Sequence, residues 1–163
     1  MLDQIDKYLI ERLQENGRQT TSELAHEVGM SVPAVAERIR KLQESGIVQR
    51  FSAVVDPKKI GMDVGAYITL ISESSTHYEE VIERAREHPE VMEIMSVTGE
   101  GSHMLLVRTE NTGTLENLLG QIQSWPGVTR TETRIVLSHY KEHGVIRVPN
   151  ALISHKEIHG KHH

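Results

Sequence analysis

The chain contains no cysteine, which excludes disulfides, thiol nucleophiles and thiolate metal sites and leaves histidine and carboxylates as the only conventional ligands. It has no apolar run near the roughly 18 residues needed to cross a bilayer, so no membrane partner is expected. The amino terminus, MLDQIDKYL, lacks a basic stretch followed by an apolar one, so the chain carries no evident secretory signal and a cytoplasmic location is expected. An excess of positive charge is missing too. A formal net charge of -5 argues against broad electrostatic coating of nucleic acid, though it leaves room for a local basic surface. What is present, 163 residues with 37% hydrophobic and 25% charged content, suits a soluble protein of one compact domain or two small ones.

The stretch LDQIDKYLIERLQENG places Ile5, Leu9 and Leu13 four apart, opens with acids suited to a helix amino terminus and stops at Gly17, as a first helix should. In TTSELAHEVG, Thr20 precedes Glu23 by three residues, the capping-box spacing in which each side chain satisfies the other's free backbone donor. Gly29-Met30-Ser31 then supplies a tight turn and a serine cap for a third helix through Ser45, with Pro33 in the first turn, where a missing donor costs little. Leu24, Ala25, Val28, Val35, Ile39 and Leu42 give the apolar spacing of a helix-turn-helix core. With that stripe inward, an advance of about 100° per residue turns Pro33, Glu37 and Arg40 outward, with Ala34 and Lys41 beside them. Such a helix enters a major groove, where Arg40 or Lys41 bonds guanine edges and Ser31 with the helix amino terminus meets phosphate. Arg38 lies nearer the core stripe and is assigned to phosphate or to an internal acid.

After Gly46, IVQRFSAVVD reads as a strand leaving the helical domain. From Val64 comes the strand VGAYITLIS, then a helix from Thr76 to Glu87 in which Thr76 and Glu79 repeat the capping-box spacing. His88-Pro89-Glu90-Val91 and Trp125-Pro126-Gly127-Val128 each precede a strand after an amphipathic helix, so a βαβ half-unit occurs twice. The resulting β-α-β-β-α-β order predicts a ferredoxin-like fold with two helices on one face of a four-stranded sheet. In its first strand both faces carry apolar side chains, so a second subunit is a natural cover for the open face. Between the second and third strands, Gly99-Glu100-Gly101-Ser102-His103 holds more chemistry than a turn needs. Glycine amides suit a carboxylate, Glu100 an ammonium group, and the Ser102 hydroxyl donates or accepts.

LDQIDKYLIERLQENGR, ELAHEVGMS, RIRKLQESGIVQRFSAVVDPKKIG, VTGEGSHMLLV and VTRTETRIVL together resemble the Lrp/AsnC, or feast/famine, transcriptional regulators over about residues 1 to 140. The resemblance implies an α+β chain: a winged helix-turn-helix DNA-binding domain at 1–48, a hinge strand and linker at 49–62, and a ferredoxin-like effector and oligomerisation domain at 63–140. It implies double-stranded DNA as partner, homodimers and often homo-octamers formed through the sheets, and control by an amino acid or related small molecule, with no other cofactor. It places Gly99, Glu100, Gly101, Ser102 and His103 in the effector pocket, with Thr131 and Thr133 supplying hydroxyls beside that loop from the same or a neighbouring subunit. The loop departs from the family pattern, which has an aromatic where Gly101 stands and a second acid where Ser102 stands.

Residues 141–163 continue past the resemblance as a histidine-rich extension. His155 and His159 are four apart, with His162 and His163 nearby, a spacing open to Zn or Ni on a helix. Gly144, Pro149 and Gly160 interrupt any long helix, so the extension reads as a solvated tail without a metal. Siroheme decarboxylases share the general architecture, and such an enzyme would need histidine near its substrate. His77, His88 and His103 are available, but no convergent acid-base group appears, so the regulator is expected and an enzyme is not. An amino-acid sensor without DNA binding is the other alternative.

Overall fold

A computed structural model describes residues 1–151 of the chain; His155, His159, His162 and His163 lie outside the described residues. The chain forms two compact units, one comprising Met1–Val54 with the described residues after Tyr140, the other Val55–Tyr140.

In the first unit, α1 spans Gln4–Glu15, α2 Thr21–Val28 and α3 Val32–Glu44. Asp3 and Asp6 form a reciprocal capping box on α1, Thr20 and Glu23 form the predicted one on α2, and Gly29 ends α2 in the left-handed region at φ 67°. Leu9, Leu13, Leu24, Ala25, Val35 and Leu42 are the buried core, with Ile5, Val28 and Ile39 packed against it. A polar lock joins α1 to α2. Glu27 accepts hydrogen bonds from the Tyr8 hydroxyl at 2.8 Å, from Arg12 Nε and Nη2 at 3.0 and 2.8 Å, and from Gln19 Nε2 at 2.6 Å.

The segment after Tyr140 is in part an edge of this unit rather than only a solvated tail. The Ile146 N–H donates to Gln14 Oε1 at 2.8 Å and Gln14 Nε2 donates back to the Ile146 carbonyl at 2.9 Å. Glu11, only 4% exposed, accepts from Arg147 Nη1 at 2.7 Å and from the Val148 N–H at 3.0 Å. Gln4 and Lys7 donate to the Asn150 carbonyl. Side chains of α1 thus satisfy main-chain groups that an irregular segment cannot pair internally. Glu11→Ala should cost about 1 to 2 kcal/mol, the usual loss for a buried acceptor serving a backbone donor. Urea unfolding followed by helical circular dichroism measures it, and a change within about 0.3 kcal/mol, the noise of an ordinary surface substitution, would show that the strap adds no stability.

The expected hinge strand is absent among the described residues. IVQRFSAVVD runs without a ladder, leaves Phe51, Val54 and Val55 exposed, and leads to a 3-10 turn at Lys58–Ile60 closed by Gly61. Its β-branched composition suits a strand, but a ladder needs a neighbouring strand and this segment has none among the described residues.

In the second unit, β1 is Val64–Ser72, α4 Tyr78–Glu87, β2 Val91–Ser96, β3 His103–Thr109, α5 Thr112–Gln123 and β4 Val128–Ile135. The sheet order is β2-β3-β1-β4, with every pair antiparallel, which is the ferredoxin-like arrangement expected. Ala66, Ile68, Leu70, Leu105 and Val107 pack with Val81 and Ala85 of α4 and Leu115, Leu118 and Ile122 of α5, so these strand positions define the helix-covered face. Tyr67, Thr69 and Ile71 alternate onto the other face. The predicted capping box on α4 does not form: the helix starts at Tyr78 behind His77, and Thr76 instead accepts from the Ser74 hydroxyl at 3.0 Å. Serine and threonine hydroxyls compete for nearby groups in this way where local turns offer them.

Candidate functional site

Two surfaces hold the residues singled out from sequence. On the first, the Ser31 hydroxyl caps α3 by accepting from the Ala34 N–H at 3.3 Å, and Pro33 lies in the opening turn. Ala34, Glu37, Arg38 and Lys41 line one groove of about 680 Å³ beside α3, with Met30 and Asp6. Arg40 and Lys41 are exposed while Val35 and Leu42 are buried, so the helix presents the outward face that its spacing predicts. Arg38 settles on internal acids: Nη1 reaches Asp3 at 2.7 Å and Asp6 at 2.9 Å, tying α3 to the cap of α1. Arg40 is not idle either. Its Nε and Nη2 donate to Glu37, and its Nη1 pairs with Glu44. The hydrogen bond from Arg40 holds the Glu37 carboxyl below its ordinary range.

The second surface is the hairpin between β2 and β3. Gly99 and Gly101 both take positive φ, 94° and 91°, which glycine adopts without steric cost. Ser102 anchors the loop to β1: its N–H donates to the Leu70 carbonyl at 2.9 Å, with its hydroxyl 3.4 Å from the same oxygen. The Ser102 amide is therefore taken. Glu100 projects outward and pairs with Arg130 at 2.7 Å, both side chains exposed. His103 turns the other way, buried, its Nδ1 2.9 Å from the Ser102 hydroxyl and its ring edge-on to Tyr78 at 4.8 Å; burial pushes its imidazole pKa down.

Within one subunit, Thr131 and Thr133 do not join this lip. They pair in register with Leu70 and Ile68, which places them on the helix-covered face, and the Thr131 hydroxyl accepts from Gln123 of α5 at 3.0 Å. Arg130, one residue earlier, lies opposite Ile71 on the open face and supplies the polar partner for Glu100. Arg130 was not legible in the sequence, because the alternate threonines beside it mark the other parity of the strand and nothing local says which parity faces the hairpin. Of the other histidines considered, His77 lies 3.6 Å from Glu80 and His88 bonds Gln121 at 2.9 Å, each with its own local partners rather than in one constellation.

The helical half, residues 2–43, matches the AsnC-type helix-turn-helix domain, and residues 66–146 match the Lrp/AsnC ligand binding domain. The HTH-type transcriptional regulator FL11 of Pyrococcus horikoshii is 38% identical over 86% of this chain and 93% of its own. The structure of Escherichia coli AsnC superposes with a TM-score of 0.83 at 30% identity, covering 91% of this chain and 99% of that one. The L-Met complex of the Neisseria meningitidis transcriptional regulator NMB0573 gives 0.83 at 27% identity, over 94% and 100%. These relatives are transcriptional regulators rather than enzymes, and the decarboxylase-like reading is set aside. With a DNA-binding helix-turn-helix joined to a ligand-binding ferredoxin-like half, the chain belongs to the Lrp/AsnC family of transcriptional regulators.

Proposed function

We propose that α3 reads base edges in the major groove through Arg40 and Lys41, with Pro33, Ala34 and Glu37 on the same face and Ser31 with the helix amino terminus beside phosphate. The observation that carries this is the separation of α3 into a buried Val35–Leu42 side and an exposed side bearing Glu37, Arg40 and Lys41. Arg38, spent on Asp3 and Asp6, orients α3 rather than touching bases. The hairpin Gly99–His103 forms part of an amino-acid effector site in which Glu100 and Arg130 meet the ammonium and carboxylate groups. Their exposed pairing across the lip and the L-Met complex of the Neisseria meningitidis relative support this reading. Thr131 and Thr133, on the helix-covered face, supply no hydroxyl to the lip of their own subunit. Subunits associate in the cytoplasm as dimers or as higher oligomers up to the octamer, and the effector acts by binding one assembly more tightly than another, without which it would shift nothing.

Selection of bound fragments from sheared genomic DNA, with and without a pool of the twenty amino acids, tests the whole reading. Enrichment of a palindromic site that changes with the pool is the expected result. Ligand binding without enrichment of any site at low salt would instead mark an amino-acid sensor that does not read DNA. On the selected site, Arg40→Ala should weaken binding by about 1 to 3 kcal/mol, the value of one good bidentate base contact; fluorescence anisotropy measures it, and unchanged affinity would remove Arg40 from the interface.

A further inference from the structure

The exposed side of α3 carries its own anions. Glu37 occupies the Nε–Nη2 edge of Arg40, at 2.8 and 2.6 Å, Glu44 takes the remaining Nη1, and Lys41 lies 3.9 Å from Glu37. Two cations and two carboxylates, all exposed, leave this face without net charge. The edge held by Glu37 matters, because a guanidinium fork uses the same paired N–H groups for a carboxylate and for the O6 and N7 of guanine. Through that edge Arg40 meets a base only once Glu37 withdraws, and the end-on edge is encumbered by Glu44 at Nη1. Exposed pairs of this kind are weak enough to open in water, so they delay contact without forbidding it.

Once the pairs open, the DNA decides the outcome. If Arg40 turns to a phosphate, two carboxylates are drawn toward a polyanion and the repulsion opposes binding on any sequence. If Arg40 meets a guanine, the freed Glu37 can accept from the N4 amino group of a neighbouring cytosine, a pairing that suits a carboxylate in the major groove. The acids therefore penalise wrong sequences more than right ones, which is how repulsive elements create specificity.

We propose that Glu37 and Glu44 are specificity-determining residues: they hold Arg40 away from phosphate and release it where the groove offers a guanine to Arg40 and a hydrogen-bond donor to Glu37. This rests on the assignment of α3 as the DNA-reading helix. The chain's net charge of -5 agrees with a protein that depends on such selectivity rather than on general attraction to DNA.

The test compares full-length wild type with Glu37→Gln, Glu44→Gln and Arg40→Ala, each checked for unchanged helicity, on the selected operator and on a scrambled duplex of equal length across a salt series. Both glutamine variants should bind the scrambled duplex about three- to tenfold more tightly, with a steeper salt dependence, as removal of repulsion from phosphate requires. Operator affinity should change less, so the ratio of specific to non-specific binding falls, and Glu37→Gln should also relax the preference at a single base pair. Scrambled-duplex affinity and ratio unchanged in both variants overturn the proposal. Arg40→Ala separates the two ways of failing. If it weakens operator binding while the glutamine variants behave as wild type, only the role of the acids is wrong; if it leaves operator binding intact, α3 does not read bases through Arg40 and the role of the acids falls with it.

Discussion

Replacing Glu27 with alanine should lower the unfolding free energy by about 2 to 4 kcal/mol, the range for breaking a part-buried charged network by removing one member. The carboxylate accepts from Tyr8, Arg12 and Gln19, so a single truncation removes the acceptor shared by two side chains of α1 and one of the loop that leads into α2. Urea unfolding monitored by helical circular dichroism provides the number. Glu27→Gln keeps the volume and one neutral acceptor, and should lose about half as much, since hydrogen bonds to a charged group are roughly twice as strong as neutral ones. A loss below about 0.5 kcal/mol for the alanine variant, which is surface-substitution behaviour, would show that the apolar core holds α1 to α2 unaided.

The same residue sets an acid limb. Burial raises the Glu27 carboxyl pKa, but the hydrogen bonds from Arg12, Tyr8 and Gln19 outweigh it and leave the pKa below its ordinary value. The unfolded chain therefore takes up the proton first as pH falls. Stability from Glu27 is complete above the unfolded value of about 4.3 and is lost as pH drops from there through the lower folded value. Glu27→Gln should remove this contribution, so its stability should decline less steeply in that window. Tyr8 stays a donor throughout, because burial and then Glu27 push its hydroxyl pKa upward.

At the hairpin, Gly101→Ala should destabilise the ferredoxin-like unit by about 2 to 4 kcal/mol, combining a left-handed backbone cost of roughly 1 to 2 kcal/mol with overlap against neighbouring atoms. A methyl group there would stand 2.5 Å from the Thr69 Cγ2 and 3.0 Å from the Leu70 carbonyl oxygen. That carbonyl also accepts the Ser102 N–H, so the hairpin must lift away from β1 to make room. Gly99→Ala is the matched control: its φ is also positive, yet nothing lies within 4 Å of the added carbon, and it should cost only the backbone term. Thermal unfolding of both variants, with L-methionine binding by calorimetry, checks the pair. Equal losses at the two glycines would show that backbone conformation alone, and not contact with β1, makes Gly101 indispensable.

Much of this architecture was legible in local chemistry. Thr20 and Glu23 announced the start of α2, Gly29 its end and Ser31 the cap of α3, because each motif satisfies backbone groups within a few residues of itself. The outward run Pro33, Glu37, Arg40 and Lys41 followed from helical periodicity. The candidate effector lip was only half legible. Gly99, Glu100 and Gly101 sit in the hairpin as expected, whereas Thr131 and Thr133 belong to the opposite face and Arg130 takes their place beside Glu100. Strand parity decides this: Arg130 pairs with Ile71 and Thr131 with Leu70, so these adjacent residues point to opposite faces, and one sequence does not reveal which face each parity takes.

The order of the helices and sheet strands, the caps of α2 and α3 and the alternation of apolar and polar positions depend on neighbours in the chain, and the amino-acid order was enough to establish them and the family they compose. Long-range partnerships were beyond it. Glu11 receives Arg147 and Glu27 gathers Tyr8, Arg12 and Gln19; in sequence each is simply a charge on a helix. Helical periodicity left Arg38 between a phosphate and an internal acid, and only the fold brings it to Asp3 and Asp6. The segment from Ile47 to Asp56 has the composition of a strand and joins no ladder among the described residues, because composition supplies propensity while a ladder requires a neighbour. Only the folded chain decides which distant groups meet, since burial makes an unmatched donor or acceptor costly and the packing determines which partner is within reach.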